Sequence, residues 1–176
     1  KFAEEKQIKV VELTRNYGQH AAIMAGFSVS CGKIIITMDA DLQNPPEEIP
    51  ELIRVMEEGN YDVVGTIRKG RRDSFFRIFP SKIINIVARK ITGVKMHDWG
   101  CMLRAYRRKV VERMISCHEH ATFIPALATV FGKRTTEIEV EHEERHGGKS
   151  NYPLRKLINL QFDLVASFSD FPIKLI

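Results

Sequence analysis

The spacing of apolar positions changes several times along the chain, and each change marks a new element. Residues 8–13 form a short apolar run of amphipathic or strand-like character. After Arg15-Asn16-Tyr17-Gly18, the residues Ala21, Ala22, Ala25 and Phe27 follow a helical pattern that closes near Gly32. Residues 33–38 (KIIITM) are β-branched and nearly all apolar, the pattern of a parallel strand buried on both faces. Asn44-Pro45-Pro46-Glu47-Glu48 is a turn and helix start, its acids placed where the helix dipole favours them. Ile49, Leu52, Ile53 and Met56 keep helical spacing until Gly59, and residues 61–66 (YDVVGT) make the next strand. Further on, residues 74–91 predict one helix or two, interrupted at Pro80. Residues 101–106 predict a strand, and residues 107–115 and 123–131 two helices. Residues 136–142 alternate glutamates with Ile138 and Val140, the signature of a half-exposed strand. Residues 152–168 read as an amphipathic helix.

Strand, helix and strand in that order make a βαβ unit, so the expected class is α/β with a mostly parallel sheet flanked by helices. In open α/β sheets, ligands gather at the carboxyl ends of the strands. Asp39-Ala40-Asp41 follows one such end, and a basic stretch follows another.

Charge sharpens this picture. The chain of 176 residues carries 27 basic and 22 acidic residues, a formal net charge of +5. Between residues 68 and 82, six basic residues (Arg68, Lys69, Arg71, Arg72, Arg77 and Lys82) face one acid, Asp73, so this stretch equals the whole excess. A concentrated patch of this kind suits an anion. With 44% hydrophobic and 28% charged residues the composition is that of an ordinary globular domain, not a disordered or repetitive chain. No stretch reaches the length of a membrane span. Three cysteines, Cys31, Cys101 and Cys117, without a CxxC pair fit a reducing compartment better than a disulfide framework. The tract Cys117-His118-Glu119-His120 lacks the second ligand pair of a zinc site and reads as a helix end and loop.

Two carboxylates at i and i+2 after a buried strand can both reach one hard divalent cation. Magnesium binds through one or two carboxylates plus substrate phosphates, so Asp39 and Asp41, with Gln43 as a neutral oxygen, form half of such a site. Guanidinium groups are the natural partners of phosphate oxygens, and Arg77 and Ser81 are one helical turn apart.

The run Asp39-Ala40-Asp41-Leu42-Gln43-Asn44-Pro45-Pro46-Glu47 resembles the D-A-D-L-Q-x-P-P-E signature of family 2 glycosyltransferases, and in particular of the polyprenyl-phosphate sugar transferases typified by dolichol-phosphate mannosyltransferases. Arg15-Asn16-Tyr17-Gly18-Gln19-His20 is similar to the segment that precedes this signature. Gly65-Thr66-Ile67-Arg68, Asp73-Ser74-Phe75-Phe76-Arg77, Ser81-Lys82-Ile83-Ile84-Asn85, Gly100-Cys101-Met102-Leu103-Arg104 and Leu157-Ile158-Asn159-Leu160 look closest to the undecaprenyl-phosphate 4-deoxy-4-formamido-L-arabinose transferases.

The resemblance implies a GT-A fold and a metal-dependent, inverting transferase that uses Mg²⁺ or Mn²⁺. It implies a nucleotide-sugar donor, UDP-linked, and a polyprenyl (undecaprenyl) phosphate acceptor, in cell-envelope glycan or lipid A modification. It places Asp39, Asp41 and Gln43 at the metal, and Arg15, Asn16, Asp39, Gln43, Arg145 and Lys149 at the donor. Arg68, Arg77, Ser81 and Arg104 fall at the acceptor phosphate. Asp98 falls where other members place an acid facing the acceptor, and here it is expected to orient Arg104 or the phosphate. Arg145 to Ser150 matches an R-x-x-G-x-S element, with Asn151 where many members carry lysine. The expected organisation is a partial catalytic domain over residues 1–150 and an amphipathic juxtamembrane helix over residues 151–176, truncated at both ends, with membrane helices outside this chain. The aromatic stretches around Phe75, Phe76 and Phe79, and around Phe162, Phe168 and Phe171, fit either a core or a membrane interface, and one helix can present a face to each. The implied location is the cytoplasmic face of the inner membrane, with no nucleic-acid partner and with homo-oligomerisation left open. Two alternatives stand beside this reading. One is a family 2 transferase with a soluble or polysaccharide acceptor; the other is a non-catalytic anion- or membrane-binding domain.

Overall fold

A computed structural model describes residues 8–69, 101–117 and 123–141. Helix α1 (Gln19–Val29) leads into strand β1 (Ile34–Thr37), a 3₁₀ turn (Pro46–Glu48) and helix α2 (Ile49–Glu58). Strand β2 (Val63–Arg68) follows, then β3 (Arg104–Arg107), α3 (Arg108–Ser116), α4 (Ile124–Phe131) and β4 (Thr135–Val140). The four strands form one sheet in the order β1-β3-β2-β4.

The α/β class is borne out, but the sheet is mixed rather than mostly parallel. Strand β3 lies between β1 and β2 and is antiparallel to both, and among the described residues only β2 and β4 pair in parallel. Three of the four described strands therefore run the same way, with one reversed strand inserted among them. The apolar run at β1 correctly reports helices on both faces: Ile35 belongs to one core, and Ile34 and Ile36 pack against the other. It misreports the neighbour, because burial on two faces says nothing about the direction of the adjacent strand.

Strand alternation sorts the core into two layers. Val63 and Tyr106 point toward α1, α3 and α4, where they meet Phe27, Val110, Val111, Met114, Ile124 and Leu127. Phe27 and Tyr106 meet edge to face with ring centroids 5.4 Å apart. Val64, Leu103 and Ala105 point the other way, onto Leu52 and Met56 of α2 and Val140 of β4. Helix α2 puts Pro near its start and Gly59 at its end, and Arg54 bonds both Glu51 and Glu58 on its exposed face.

Element boundaries moved by one to three residues. The strand expected at residues 61–66 occupies Val63–Arg68, and that expected at 101–106 begins only at Arg104. The apolar run at residues 8–13 forms neither helix nor strand, and Ile8, Val10 and Val11 are exposed. The helices expected over residues 74–91 and 152–168, and the membrane-facing segment 151–176, lie outside the described residues. Among the described residues no helix is long and apolar enough to cross a membrane.

Candidate functional site at the carboxyl ends of β1 and β2

Because β1 and β2 are both antiparallel to β3, their carboxyl ends lie at the same end of the sheet. Thr37 pairs with Arg104, and Gly65 lies beside Arg104 in turn. From that row β1 continues to Asp39 and Asp41, and β2 continues to Arg68. One strand, β3, separates β1 from β2, so the axes of those two strands lie about 10 Å apart.

The loop after β1 is shaped by its own side chains. Asp41 Oδ1 accepts the Gln43 N–H at 3.2 Å, closing a small turn. Leu42, between them, has φ 62, a left-handed conformation that costs a non-glycine residue about 1 kcal/mol. Asn44 is buried and ties the loop down: its Oδ1 lies 3.7 Å from the Cys101 Sγ, which touches the Thr66 Oγ1 at 2.9 Å. The Thr66 hydroxyl donates to the Leu103 carbonyl at 2.8 Å. A buried polar chain thus links the carboxylate loop, β2 and the segment entering β3.

On the other side of the loop stands the start of α1. Asn16 Oδ1 accepts the Gly18 N–H at 2.9 Å, and Gly18 adopts φ 90, which favours glycine. Gln19, the first residue of the helix, donates from its side-chain amide to Asp39 Oδ1 at 2.7 Å. The first turn of α1 carries no acid, so its amide-rich end and the Asp39 carboxylate complement one another. His20 is edge-on to Phe123 at 5.2 Å, and among the described residues its Nδ1 is buried without a partner. Burial holds its pKa below the ordinary histidine value.

Asp39, Asp41 and Gln43 lie on the loop that follows β1, and Arg68 closes β2 at the same end of the sheet. Asn16 stands close by through the Gly18–Gln19 turn, its side-chain oxygen already engaged. Arg15 is exposed and stacks over the Tyr17 ring at 4.7 Å. Arg104 is at 0% exposure, with its Nε on the Cys101 carbonyl at 2.8 Å and its guanidinium 3.2 Å from where a Gly65 Cβ would stand. Its side chain is fully buried. Lys69 of the basic stretch bonds Glu141 at 3.1 Å, which raises its pKa. Arg77, Ser81, Asp98, Arg145 and Lys149 lie outside the described residues.

Among the described residues no group of three His, Cys, Asp or Glu side chains is assembled. The donor set at the loop, two carboxylates and an amide without sulfur or imidazole, matches a hard cation completed by substrate phosphates. Sequence reasoning assigned no role to Gln19 or to the Asn44–Cys101–Thr66 chain. Both join positions 20 or more residues apart, and no local spacing encodes such pairs.

The family model for glycosyl transferase family 2 matches residues 1–115. An undecaprenyl-phosphate 4-deoxy-4-formamido-L-arabinose transferase of Serratia proteamaculans (strain 568) is 59% identical over 166 residues, covering 94% of this chain and 51% of that protein. A transferase of the same name from Yersinia enterocolitica is 58% identical over 172 residues, covering 98% and 52%. The chain therefore spans about half the length of the curated relatives it matches. Among solved structures, glucosyl-3-phosphoglycerate synthase from Mycobacterium tuberculosis with Mg²⁺ and uridine diphosphate superposes with TM-score 0.61 at 13% identity, over 89% of this chain and 56% of that one. The same enzyme with Mn²⁺ and UDP-glucose gives TM-score 0.59 at 15% identity, over 89% and 56%. These likenesses establish the GT-A fold. With the family model spanning more than half of its residues and close relatives along nearly all of them, the chain belongs to glycosyl transferase family 2.

Proposed function

We propose that the protein containing this chain is a divalent-metal-dependent, inverting glycosyltransferase that moves a sugar from a UDP-linked donor onto undecaprenyl phosphate. The setting is the cytoplasmic face of the inner membrane, and the product serves cell-envelope or lipid A modification. The observation that carries the proposal is the 58–59% identity with transferases so named over nearly the whole chain.

In the reaction, an oxygen of the lipid phosphate attacks the anomeric carbon while the bond from that carbon to the diphosphate oxygen breaks, inverting the centre. A phosphate monoester has its second pKa near about 6, so the nucleophile is already anionic at neutral pH and needs little help from a base. The residues therefore bind and orient. Asp39, Asp41 and Gln43 would hold a Mg²⁺ or Mn²⁺ ion on the donor side, and that ion would supply positive charge to offset the charge gathering on the leaving group. Arg68, with Arg77 and Ser81, holds the acceptor phosphate against the repulsion of the donor. Arg104, enclosed below the rim, supports that anion through its field, and Asp98 orients it or the phosphate. Arg15, Asn16, Arg145 and Lys149 belong to the donor side.

The test uses the full-length protein, a radiolabelled UDP-sugar and undecaprenyl phosphate. Asp41→Asn is expected to abolish lipid labelling while the melting temperature stays near wild type. Transfer that survives this substitution refutes the carboxylate clamp.

A further inference from the structure

The Gln19–Asp39 contact carries a role that neither the family signature nor the relatives' names assign. A carboxylate on a strand-end loop turns readily about its terminal torsion, which is broad and two-fold. A divalent cation needs it held in one orientation, and residues that hydrogen-bond a ligating carboxylate commonly decide metal affinity. Asp39 has such a holder, 20 positions earlier in the chain: the Gln19 amide nitrogen at 2.7 Å from Oδ1.

The holder is itself mounted on rigid parts. Asn16 Oδ1 fixes the Gly18 N–H, the positive φ of Gly18 turns the chain into α1, and the Gly18 carbonyl accepts the Ala22 N–H at 3.2 Å to close the first turn. Farther along, Phe27 anchors the helix on Tyr106 in the sheet that also carries β1. Carboxylate and amide are thus tied to the same framework through separate routes, so their contact does not depend on the loop alone. The chemistry of the donor matters too. An amide is neutral, so it orients Asp39 without cancelling the negative charge a divalent cation requires. A lysine or arginine at the same place would form an ion pair and compete with the metal.

We propose that Gln19 is a positioning residue that sets the orientation of the Asp39 carboxylate for a divalent cation, through a neutral hydrogen bond from the first residue of α1. The proposal rests on the metal reading of the Asp39–Asp41 loop. It extends that reading by placing a determinant of metal affinity on α1, outside the loop.

The full-length protein in detergent, with saturating UDP, is titrated with Mn²⁺ while the free ion is followed by electron paramagnetic resonance. Gln19→Met keeps the length of the side chain and removes the donor, and Gln19→Asn keeps the donor but falls one carbon short. Both are expected to weaken Mn²⁺ binding by about tenfold. Their melting temperatures in EDTA should match wild type, and kcat at saturating Mn²⁺ should stay within about twofold while the Mn²⁺ concentration for half-maximal rate rises. Gln19→Lys should weaken binding further. Mn²⁺ affinity within twofold of wild type in both Met and Asn variants overturns the proposal. So does a loss of affinity matched by a lowered melting temperature in EDTA, which marks a purely structural contact. If wild type binds no Mn²⁺ under these conditions, or Asp41→Asn binds it as well as wild type, the metal reading falls and this inference with it. That result is distinct from a Gln19 effect that is simply missing.

Discussion

Replacing Asp62 with alanine removes the side chain that fastens three elements together at the amino end of β2. Its Oδ2 accepts the backbone N–H groups of Lys133 and Arg134 at 3.0 and 3.3 Å, which fixes the entry to β4. Its Oδ1 pairs with Lys109 of α3 at 2.5 Å. The residue is 6% exposed, so the two amides it serves would lose a charged acceptor where water has little access. A hydrogen bond to a charged group contributes about 1.5 kcal/mol at the low end, and there are two. The Lys109 partner is 59% exposed, so screening limits that pair to about 0.5 kcal/mol. The expected cost of Asp62→Ala is about 3.5 kcal/mol, a large part of a typical folding free energy of about 5–15 kcal/mol. For a chain of this size that lowers the melting temperature by about 7–14 °C. Burial pushes the Asp62 carboxyl up, but Lys109 and the two N–H donors outweigh it and leave its pKa lowered. The stabilisation is therefore present above the unfolded value of about 3.9 and is lost as pH falls through the folded value. Urea unfolding of wild type and variant at pH 7 and pH 3 checks both parts. The difference should be near its full size at pH 7 and smaller at pH 3. A difference below about 0.5 kcal/mol at pH 7, or one that does not change with pH, refutes the reasoning.

Two further outcomes are expected. Gly132→Ala places a Cβ 2.8 Å from the Ala128 carbonyl oxygen and 2.9 Å from Val63 Cγ2, so it should cost about 1–3 kcal/mol in denaturant unfolding. His20 is kept neutral by burial, so the unfolded chain takes up its proton first. Wild type should accordingly lose stability as pH falls below about 6.5, and His20→Phe should flatten that slope in melting curves between pH 7 and 5.

Much of the architecture was legible because local spacing and burial agree. Val63 and Val64 alternate between two cores, α2 starts at its prolines and stops at Gly59, and Ile138 and Val140 face inward as the alternation required. The sheet order was not legible. Nothing near residues 104–107 says that this strand will enter between β1 and β2 in the reverse sense, since that choice is made by contacts between distant segments. The run at residues 8–13 misled for a related reason: apolar character without a partner surface specifies no element. At the site, Asp39 and Asp41 stood out because two carboxylates at i and i+2 just past a buried strand can reach one cation. Their supports did not, because Gln19, Asn44 and Thr66 are common residue types that act only through the fold. Arg104 was read as a phosphate contact from its position in a resemblance, and sequence carries no sign that Gly65 leaves room for its guanidinium to sink below the surface.

In the proposed reaction one rim of the sheet holds two phosphate-bearing reactants, with Asp39 and Asp41 serving the donor and Arg68 the lipid. Mass spectrometry of products made by the full-length protein from UDP-sugars and undecaprenyl phosphate, with and without EDTA, examines this arrangement. A new lipid species heavier by one sugar residue is expected, and it should disappear when divalent ions are chelated. Sugar found on a water-soluble acceptor with the lipid untouched, or a lipid product indifferent to EDTA, would contradict it.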